Sequence, residues 1–322
     1  METTMNDTIA IAVQTPAVET FRKTWNLWER IPHPKAYRLQ TRDFEILEVV
    51  FRHRFLTLSH LTALFGGKEG RLPLRCRILW REGYLERPKA LRPNKVLTDK
   101  MVYALGKKGA QKLQELRHTP DAKEMLSYLA ADTDIGELDW NETPKKQIGW
   151  PYIDHQLGVS TFMVCLQSVA EQRGIDLRWS GHFNRRQDRI VVNNVPFLPD
   201  ARFAIVDRNG EAAHHYLEFD RGNVSLQRMR ERYERYFQYW MTHRGAKHFR
   251  VLTVTTDHAY MNSLRRIAQS IGSSSQYRSA WKGLWFTHVN TYDLQSPERI
   301  LNSIWYYADE DAPVSLTAGL QL

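Results

Sequence analysis

The chain has little cysteine and no long hydrophobic run. Its 322 residues include two cysteines, Cys76 and Cys165, which lie in apolar helical patterns without metal-ligand spacing. We therefore expect buried thiols in a reducing compartment rather than a disulfide framework or a zinc site. No apolar stretch reaches about 18 residues, so we expect no membrane-spanning helix.

Three motifs are also missing. The first ten residues lack a basic stretch followed by an apolar core, so we expect no signal peptide. No GxxxxGKS or GxxxxGKT loop is present, which argues against ATP-driven work. No two histidines flank a single hydrophobic residue, which argues against the commoner rolling-circle and relaxase active site.

Positive charge is the most informative feature that is present. The chain carries 45 Lys and Arg against 36 Asp and Glu, a net charge of +9, and residues 71–112 alone carry an equal excess. Clustered positive charge is typical of proteins that bind nucleic-acid phosphates. A solvated basic face and an anionic membrane surface are the alternatives that charge leaves open.

Residues 41–117 show the pattern of a winged helix-turn-helix domain. Three short helices are followed by two extended runs around a Pro/Asn turn, and in this arrangement the third helix enters the major groove. Leu74, Ile78 and Leu79 are predicted to be its buried face. The expected partner is double-stranded DNA, and the alternative is a winged helix used for protein contacts. The candidate DNA-binding residues are Arg71, Arg75, Arg77 and Arg81 on this helix and Arg92 and Lys95 at the wing tip.

The predicted fold class is α/β (α+β). Helices and strands alternate in the C-terminal half, beginning with a helix at 152–174 and ending with one at 297–307, which indicates a mixed sheet covered by helices. The predicted segments are an arm at 1–40, the winged helix at 41–117, a linker at 118–150, the α/β domain at 151–308 and a flexible tail at 309–322.

Three carboxylates are predicted to meet at one hairpin. The turn 207–210, Asp-Arg-Asn-Gly, joins two alternating runs, so Asp200 should lie opposite Glu218 and Asp220. Such carboxylates repel one another unless a cation separates them, and Mg²⁺ prefers oxygen ligands. Mg²⁺ held by Asp200 and Glu218 would support phosphodiester cleavage. Alternatively, the two aspartates are strand-end or turn residues, and Glu218 pairs with a neighbouring arginine.

This layout resembles the PD-(D/E)xK nuclease core of many restriction enzymes. The resemblance implies that Asp200 matches the PD aspartate and Glu218 the D/E position. Two residues after Glu218, where the motif has a lysine, this chain has Asp220. Arg221, Arg228 or Arg230 could substitute for it, but arginine stays charged and is a poor proton acceptor.

Further short sequence motifs suggest a protein family. They are His155 on the first helix of the α/β domain, Pro-Asp-Ala at 199–201, Tyr-x-Glu-x-Asp-Arg-Gly at 216–222 and Arg-Tyr-x-x-Tyr at 232–236. Over about residues 40–260 the chain resembles the replication-relaxation family of bacterial plasmids and integrative elements. This implies a bacterial cytoplasmic protein of plasmid replication or conjugative mobilisation, built on a restriction-endonuclease-like domain. The carried-over candidate catalytic residues are His155, Asp200, Glu218 and Asp220.

Other side chains allow two interpretations each. His155 is either a general base or a hydrogen-bonded structural residue. A tyrosine nucleophile is conceivable at 233, 236 or 239, but Tyr233 and Tyr236 share a helical stripe with Met229, which favours core packing. We expect a solvated or phosphate-facing surface from Arg228, Arg230, Arg232 and Arg235.

Two functional hypotheses follow. In the first, the chain binds an origin-like DNA site of a mobile element and nicks it with Mg²⁺. In the second, the nuclease fold is inactive, and the chain is a winged-helix regulator or a DNA-bound recruitment platform. Asp220 in place of lysine favours the second hypothesis, whereas the Asp200 and Glu218 pair favours the first. A homodimer and contacts with other proteins of a DNA-processing complex are compatible with either.

Overall fold

The computed structural model describes residues 30, 37–66, 71–88, 101–117, 149–179, 181, 189–242, 249–273 and 281–321. Residues 31–322 form one compact unit, to which every described residue except Arg30 belongs. Most of the predicted arm and linker lies outside the described residues, and so do Arg92 and Lys95 at the predicted wing tip.

The N-terminal part combines four helices with a small antiparallel sheet. Its elements are α1 (Thr41–His53), β1 (Leu56–Thr57), α2 (Leu58–Phe65), α3 (Arg71–Arg81), β2 (Leu85–Glu86), β3 (Val102–Leu105) and α4 (Lys107–Arg117). β3 lies between β1 and β2 in the sheet. This order agrees with the predicted helices and extended runs. The loop between β2 and β3 is not among the described residues, so the winged helix stays a prediction.

Local backbone signals explain where α2 begins and where α2 and α3 end. The Thr57 side chain accepts a hydrogen bond from the backbone N–H of His60 and caps α2. Gly66 ends α2 with a φ of 57°, and Gly83 follows α3 with a φ of 83°. Glycine adopts positive φ values without strain and is therefore common at helix ends.

The buried face of α3 is shifted from the prediction. Leu72, Cys76 and Leu79 are buried, and their spacing of four and three residues follows one side of the helix. Leu74, predicted to be buried, is 45% exposed. It stands two residues from Leu72 and from Cys76 and therefore points away from the stripe that they form.

The C-terminal part is built on a mixed sheet, which confirms the α/β class. Its elements are α5 (Trp150–Arg173), β4 (Asp176–Arg178), β5 (Ile190–Val192), β6 (Val195–Phe197), β7 (Ala201–Val206), β8 (Ala212–Asp220), α6 (Leu226–Thr242), β9 (Phe249–Thr255), α7 (His258–Gly272), β10 (Leu284–His288), β11 (Ser303–Tyr307) and β12 (Val314–Ser315). The strand order is β12-β11-β10-β9-β8-β7-β4, in which β8, β9 and β10 are parallel.

Two apolar layers cover this sheet. On one face, α5 contributes side chains such as Phe162 and Leu166, which pack with Leu217 and Trp305 of the sheet. On the other face, α6, α7 and the β5–β6 hairpin form a second core. None of the helices in the described part of the chain is long and apolar enough to cross a membrane.

Helix α5 is buried from two sides because the N-terminal part packs on the side that faces away from the sheet. Val164 joins the N-terminal core. Ser160 Oγ donates to the Phe55 carbonyl over 2.9 Å, and Thr161 Oγ1 lies 2.8 Å from His60 Nε2. A helix that is apolar all round is typical of a buried position, and α5 connects the two parts of the unit.

The C-terminal end differs from two predictions. The predicted helix at 297–307 is a short 3₁₀ helix (Pro297–Leu301) followed by β11, which forms because it pairs with β10. The predicted flexible tail is packed instead. Leu316 is fully buried, and Arg250 donates to the carbonyls of Leu316 and Ala318 over 2.7 and 2.6 Å.

Candidate functional site

The hairpin of β7 and β8 places Asp200 beside Glu218, as the sequence predicts. Asp207 Oδ1 accepts from the backbone N–H groups of Asn209 and Glu211, which stabilises the turn. Ala201 pairs with Leu217, and the Asp200 N–H donates to the Leu217 carbonyl over 2.8 Å. Asp200 therefore lies opposite Glu218 in the continued register.

Asp200 is bound to the helix histidine. His155 Nε2 on α5 lies 3.0 Å from Asp200 Oδ1, and the Phe219 N–H donates to Asp200 Oδ2 over 2.8 Å. Burial alone would raise the pKa of Asp200, but the hydrogen bond and charge of His155, with Arg232 and the Phe219 N–H, bring it below its usual value. The structure thus brings together two predicted site residues and uses both Asp200 oxygens.

Glu218 is paired with an arginine. Arg232 Nε lies 2.8 Å from Glu218 Oε1, and the Tyr236 hydroxyl donates to the same oxygen over 2.5 Å. Burial raises the pKa of Glu218 to about 7, although Arg232 opposes this shift. Arg232 also donates to the Leu198 carbonyl over 2.6 Å. Its guanidinium therefore supplies positive charge beside the carboxylate.

Asp220 stands where the nuclease motif has its lysine and is held locally. The Tyr260 hydroxyl donates to Asp220 Oδ2 over 2.8 Å, and the Gly222 N–H donates to Oδ1 over 2.9 Å. Burial raises the pKa of Asp220 despite these hydrogen bonds. The second donor closes a tight turn in which Gly222 has a φ of 73°, a conformation that glycine adopts without strain.

Mg²⁺ does not fit these carboxylates as they are arranged. In the described part of the chain, no three or more His, Cys, Asp or Glu side chains are grouped so that they could hold a metal ion. Both oxygens of Asp200 and of Asp220 accept hydrogen bonds, and the Arg232 guanidinium contacts Glu218. A divalent cation would have to displace these donors and would be repelled by the guanidinium.

The role of Arg232 is not evident from the sequence. The sequence places Arg232 among the surface arginines and offers Arg221, Arg228 and Arg230 as substitutes for the lysine. Instead, Arg221 pairs with Asp154, and Arg230 donates to Ser270. The available signal was helical spacing, since residues four apart on a helix are neighbours and Arg232 precedes Tyr236 by four.

The α6 tyrosines are packing residues. Tyr233 and Tyr236 are fully buried, as the helical stripe predicts, and burial raises both pKa values well above that of free tyrosine. The Tyr233 hydroxyl donates to Thr253 Oγ1 over 3.2 Å. Tyr239 packs against the rings of Tyr216 and Phe249. Deep burial and a high pKa make Tyr233 and Tyr236 poor candidates for a nucleophile.

The predicted DNA-binding arginines of α3 divide into two groups. Arg71 and Arg77 are exposed, and Arg81 is half-buried. Arg75 instead forms two hydrogen bonds with the fully buried Asp43, 2.9 Å from Nε to Oδ1 and 2.5 Å from Nη2 to Oδ2. Arg75 therefore connects α3 to α1, which the sequence alone did not indicate.

Comparison with known proteins gives one match. The chain matches the replication-relaxation family over residues 47–255, which is more than half of its length and extends from α1 to the end of β9. Searches of curated proteins and of solved structures found no match to the chain. The matched span includes His155, Asp200, Glu218 and Arg232. From this match we conclude that the chain belongs to the replication-relaxation family.

Proposed function

We propose that the chain binds double-stranded DNA of a plasmid or integrated element through α3 and acts there without cleaving it. Membership of the replication-relaxation family supports a role in the replication or relaxation of plasmids and mobile elements. The C-terminal part then serves as a platform for partner proteins or a second copy of the chain.

The exposed face of α3 carries the proposal. Arg71, Leu74 and Arg77 recur every three residues on the side opposite the buried stripe. A helix of this kind fits the major groove, where arginine reads guanine edges and an apolar side chain contacts a thymine methyl group. The surrounding window 71–112 carries the charge that phosphate binding needs.

Two observations favour a platform over a nuclease. Arg232 already neutralises Glu218, and the motif lysine is replaced by Asp220, which is itself hydrogen-bonded. Neither Arg232 nor Asp220 offers a general base beside a metal-activated water. The second sequence hypothesis is therefore the better supported one.

DNA binding is tested by mobility shift with duplex fragments that tile the element encoding the chain. Arg77→Ala should weaken binding to the selected fragment by about 1–3 kcal/mol, and combination with Arg71→Ala should reduce the salt dependence. The matched control is Arg208→Ala, which removes the same charge from an exposed turn. Unchanged affinity of the Arg71→Ala/Arg77→Ala variant would exclude α3 as the DNA-binding helix.

Absence of cleavage is tested with supercoiled plasmid in Mg²⁺, Mn²⁺ or EDTA. We expect the plasmid to stay supercoiled under all three conditions. Metal-dependent nicking by the wild type that disappears in Asp200→Ala would instead establish the first hypothesis, a nuclease or relaxase. A protein–DNA adduct that resists denaturation would establish a covalent relaxase.

A further inference from the structure

A large cavity among the described residues lies apart from the acidic site. It has a volume of about 710 Å³ and opens where the edge strand β4 meets α1 and α5. Its polar and aromatic lining includes Arg52, Glu171, Arg178, Trp179, Arg202 and His214. Three arginines and one glutamate are its charged lining residues, and we call it the β4 cleft.

Strand register builds one wall of the β4 cleft. Ala204 on β7 pairs with Arg178 on one side and with His214 on the other, so the three residues form a row on one face of the sheet. Arg202 lies two residues along β7 on this same face, and its guanidinium is 5.7 Å from the centre of the Tyr216 ring. Tyr216 belongs to the core on the face opposite α5, so the β4 cleft runs around the edge strand β4 to the side of α1 and α5. The small Ala204 side chain leaves space between long donors.

The arginines can exchange their present partners for a phosphate. Arg178 pairs with Asp176 over 3.0 Å, and Arg52 pairs with Glu48 over 3.5 Å, both at the protein surface. Exposed ion pairs of this kind contribute about 0–1 kcal/mol. Phosphate accepts the paired N–H groups of a guanidinium more favourably, particularly in a partly enclosed cleft.

Size and chemistry restrict what can enter. A volume of about 710 Å³ is that of a small-molecule pocket, which admits a few nucleotide units but not a duplex. Trp179 offers an aromatic surface, and burial together with Arg202 lowers the pKa of His214, so its imidazole is neutral at pH 7 and can hydrogen-bond to a base. Basic grooves with aromatic side chains are typical of sites for single strands.

We propose that the β4 cleft binds a short stretch of single-stranded DNA through Arg52, Arg178 and Arg202. The proposal rests on the proposed DNA-binding function and adds a second DNA site on the same unit. Arg52 lies in the last turn of α1, and α1 is joined to α3 through Asp43 and Arg75. The same compact unit would thus bind a duplex on α3 and a separated strand in the β4 cleft.

The test uses the full chain and a fluorescein-labelled oligothymidylate of about 15 nucleotides, with binding followed by anisotropy. Arg178→Ala/Arg202→Ala should lower the affinity for this strand at least tenfold and reduce the salt slope, because fewer phosphates are neutralised. The control Arg208→Ala/Arg266→Ala removes two exposed arginines elsewhere and should bind like the wild type. Equal melting temperatures would show that both variants fold.

Failure of this proposal is distinguishable from failure of the proposed function. An Arg71→Ala/Arg77→Ala variant should lose duplex binding and keep oligothymidylate binding. Duplex binding through α3 together with unchanged oligothymidylate affinity in Arg178→Ala/Arg202→Ala would overturn the cleft alone. An equal loss of duplex and single-strand affinity in the cleft variant would also overturn it, because the arginines would then be general backbone contacts. Oligothymidylate binding through the cleft without any duplex binding would overturn only the proposed function.

Discussion

Replacement of Arg232, the partner of Glu218, should lower the free energy of unfolding by an amount that depends on pH. Arg232→Ala leaves Glu218, whose side chain is 3% exposed, and Asp200, whose side chain is 12% exposed, without the guanidinium that faces them. Removing one partner of a buried ion pair costs about 3–5 kcal/mol. The Arg232 side chain is 33% exposed, so water screens part of its charge. We therefore expect the free energy of unfolding to fall by about 3 kcal/mol at pH 8.

The loss should shrink as the pH falls. The pKa of Glu218 is about 7 in the folded protein, above its usual 4.5, so folding takes up a proton between these two pH values. The resulting contribution of Glu218 to the free energy of unfolding is complete below pH 4.5. This contribution disappears as the pH rises through 7. Without Arg232 the pKa of Glu218 rises further, and at pH 5 the side chain is neutral in the folded variant. Because one proton is worth about 1.4 kcal/mol per pH unit and the two proteins differ in charge only between pH 7 and pH 8, we expect the loss at pH 5 to be about 2 kcal/mol.

The loss in the free energy of unfolding is measured by denaturant unfolding of four proteins at pH 5 and pH 8. They are the wild type, Arg232→Ala, Glu218→Gln and the double variant, which form a double-mutant cycle. Glu218→Gln should recover most of the stability that Arg232→Ala loses at pH 8, because no unpaired charge is left. An Arg232→Ala loss that is equal at both pH values, or that Glu218→Gln does not reduce, would refute the ion-pair argument.

Three other predictions concern stability. Arg75→Ala should lower the free energy of unfolding by about 2–4 kcal/mol in a denaturant titration, whereas Arg77→Ala should change it by less than about 0.5 kcal/mol, because the buried Asp43 loses its partner only in the first variant. Leu316→Ala should cost about 2–4 kcal/mol, and a loss near zero would mean that the tail is not packed. Burial lowers the pKa of His215 to about 3, so its contribution to stability is lost as the pH falls below 6.5; His215→Phe should therefore raise the melting temperature more at pH 5 than at pH 7.5.

Local sequence signals predicted the parts of the site that local structure determines. The turn at 207–210 determines the register of β7 and β8, and the register alone places Asp200 opposite Glu218. Helical spacing likewise predicted that Tyr233 and Tyr236 are buried. These inferences needed only the periods of strands and helices.

The missed features depend on tertiary contacts. Arg232 borders the buried stripe of α6, so the helical period permits it to face either solvent or core. Its contact with Glu218 on the preceding strand decides between the two. The same holds for Arg75, whose partner Asp43 lies 32 positions earlier. At 297–307 the proline favours a helix start, whereas the cross-strand pairing with β10 that makes 303–307 a strand is not encoded locally.

The shared helix α5 has a consequence for how partners would be arranged along DNA. Because α5 is buried between the N-terminal part and the sheet, α3 cannot swivel relative to the C-terminal part. With a duplex held on α3, a partner docked on the C-terminal part would meet that duplex at one angular position around its axis. Moving the partner's DNA site by about five base pairs, half a helical turn, would place it on the opposite side of the duplex, and a shift of about ten would restore it.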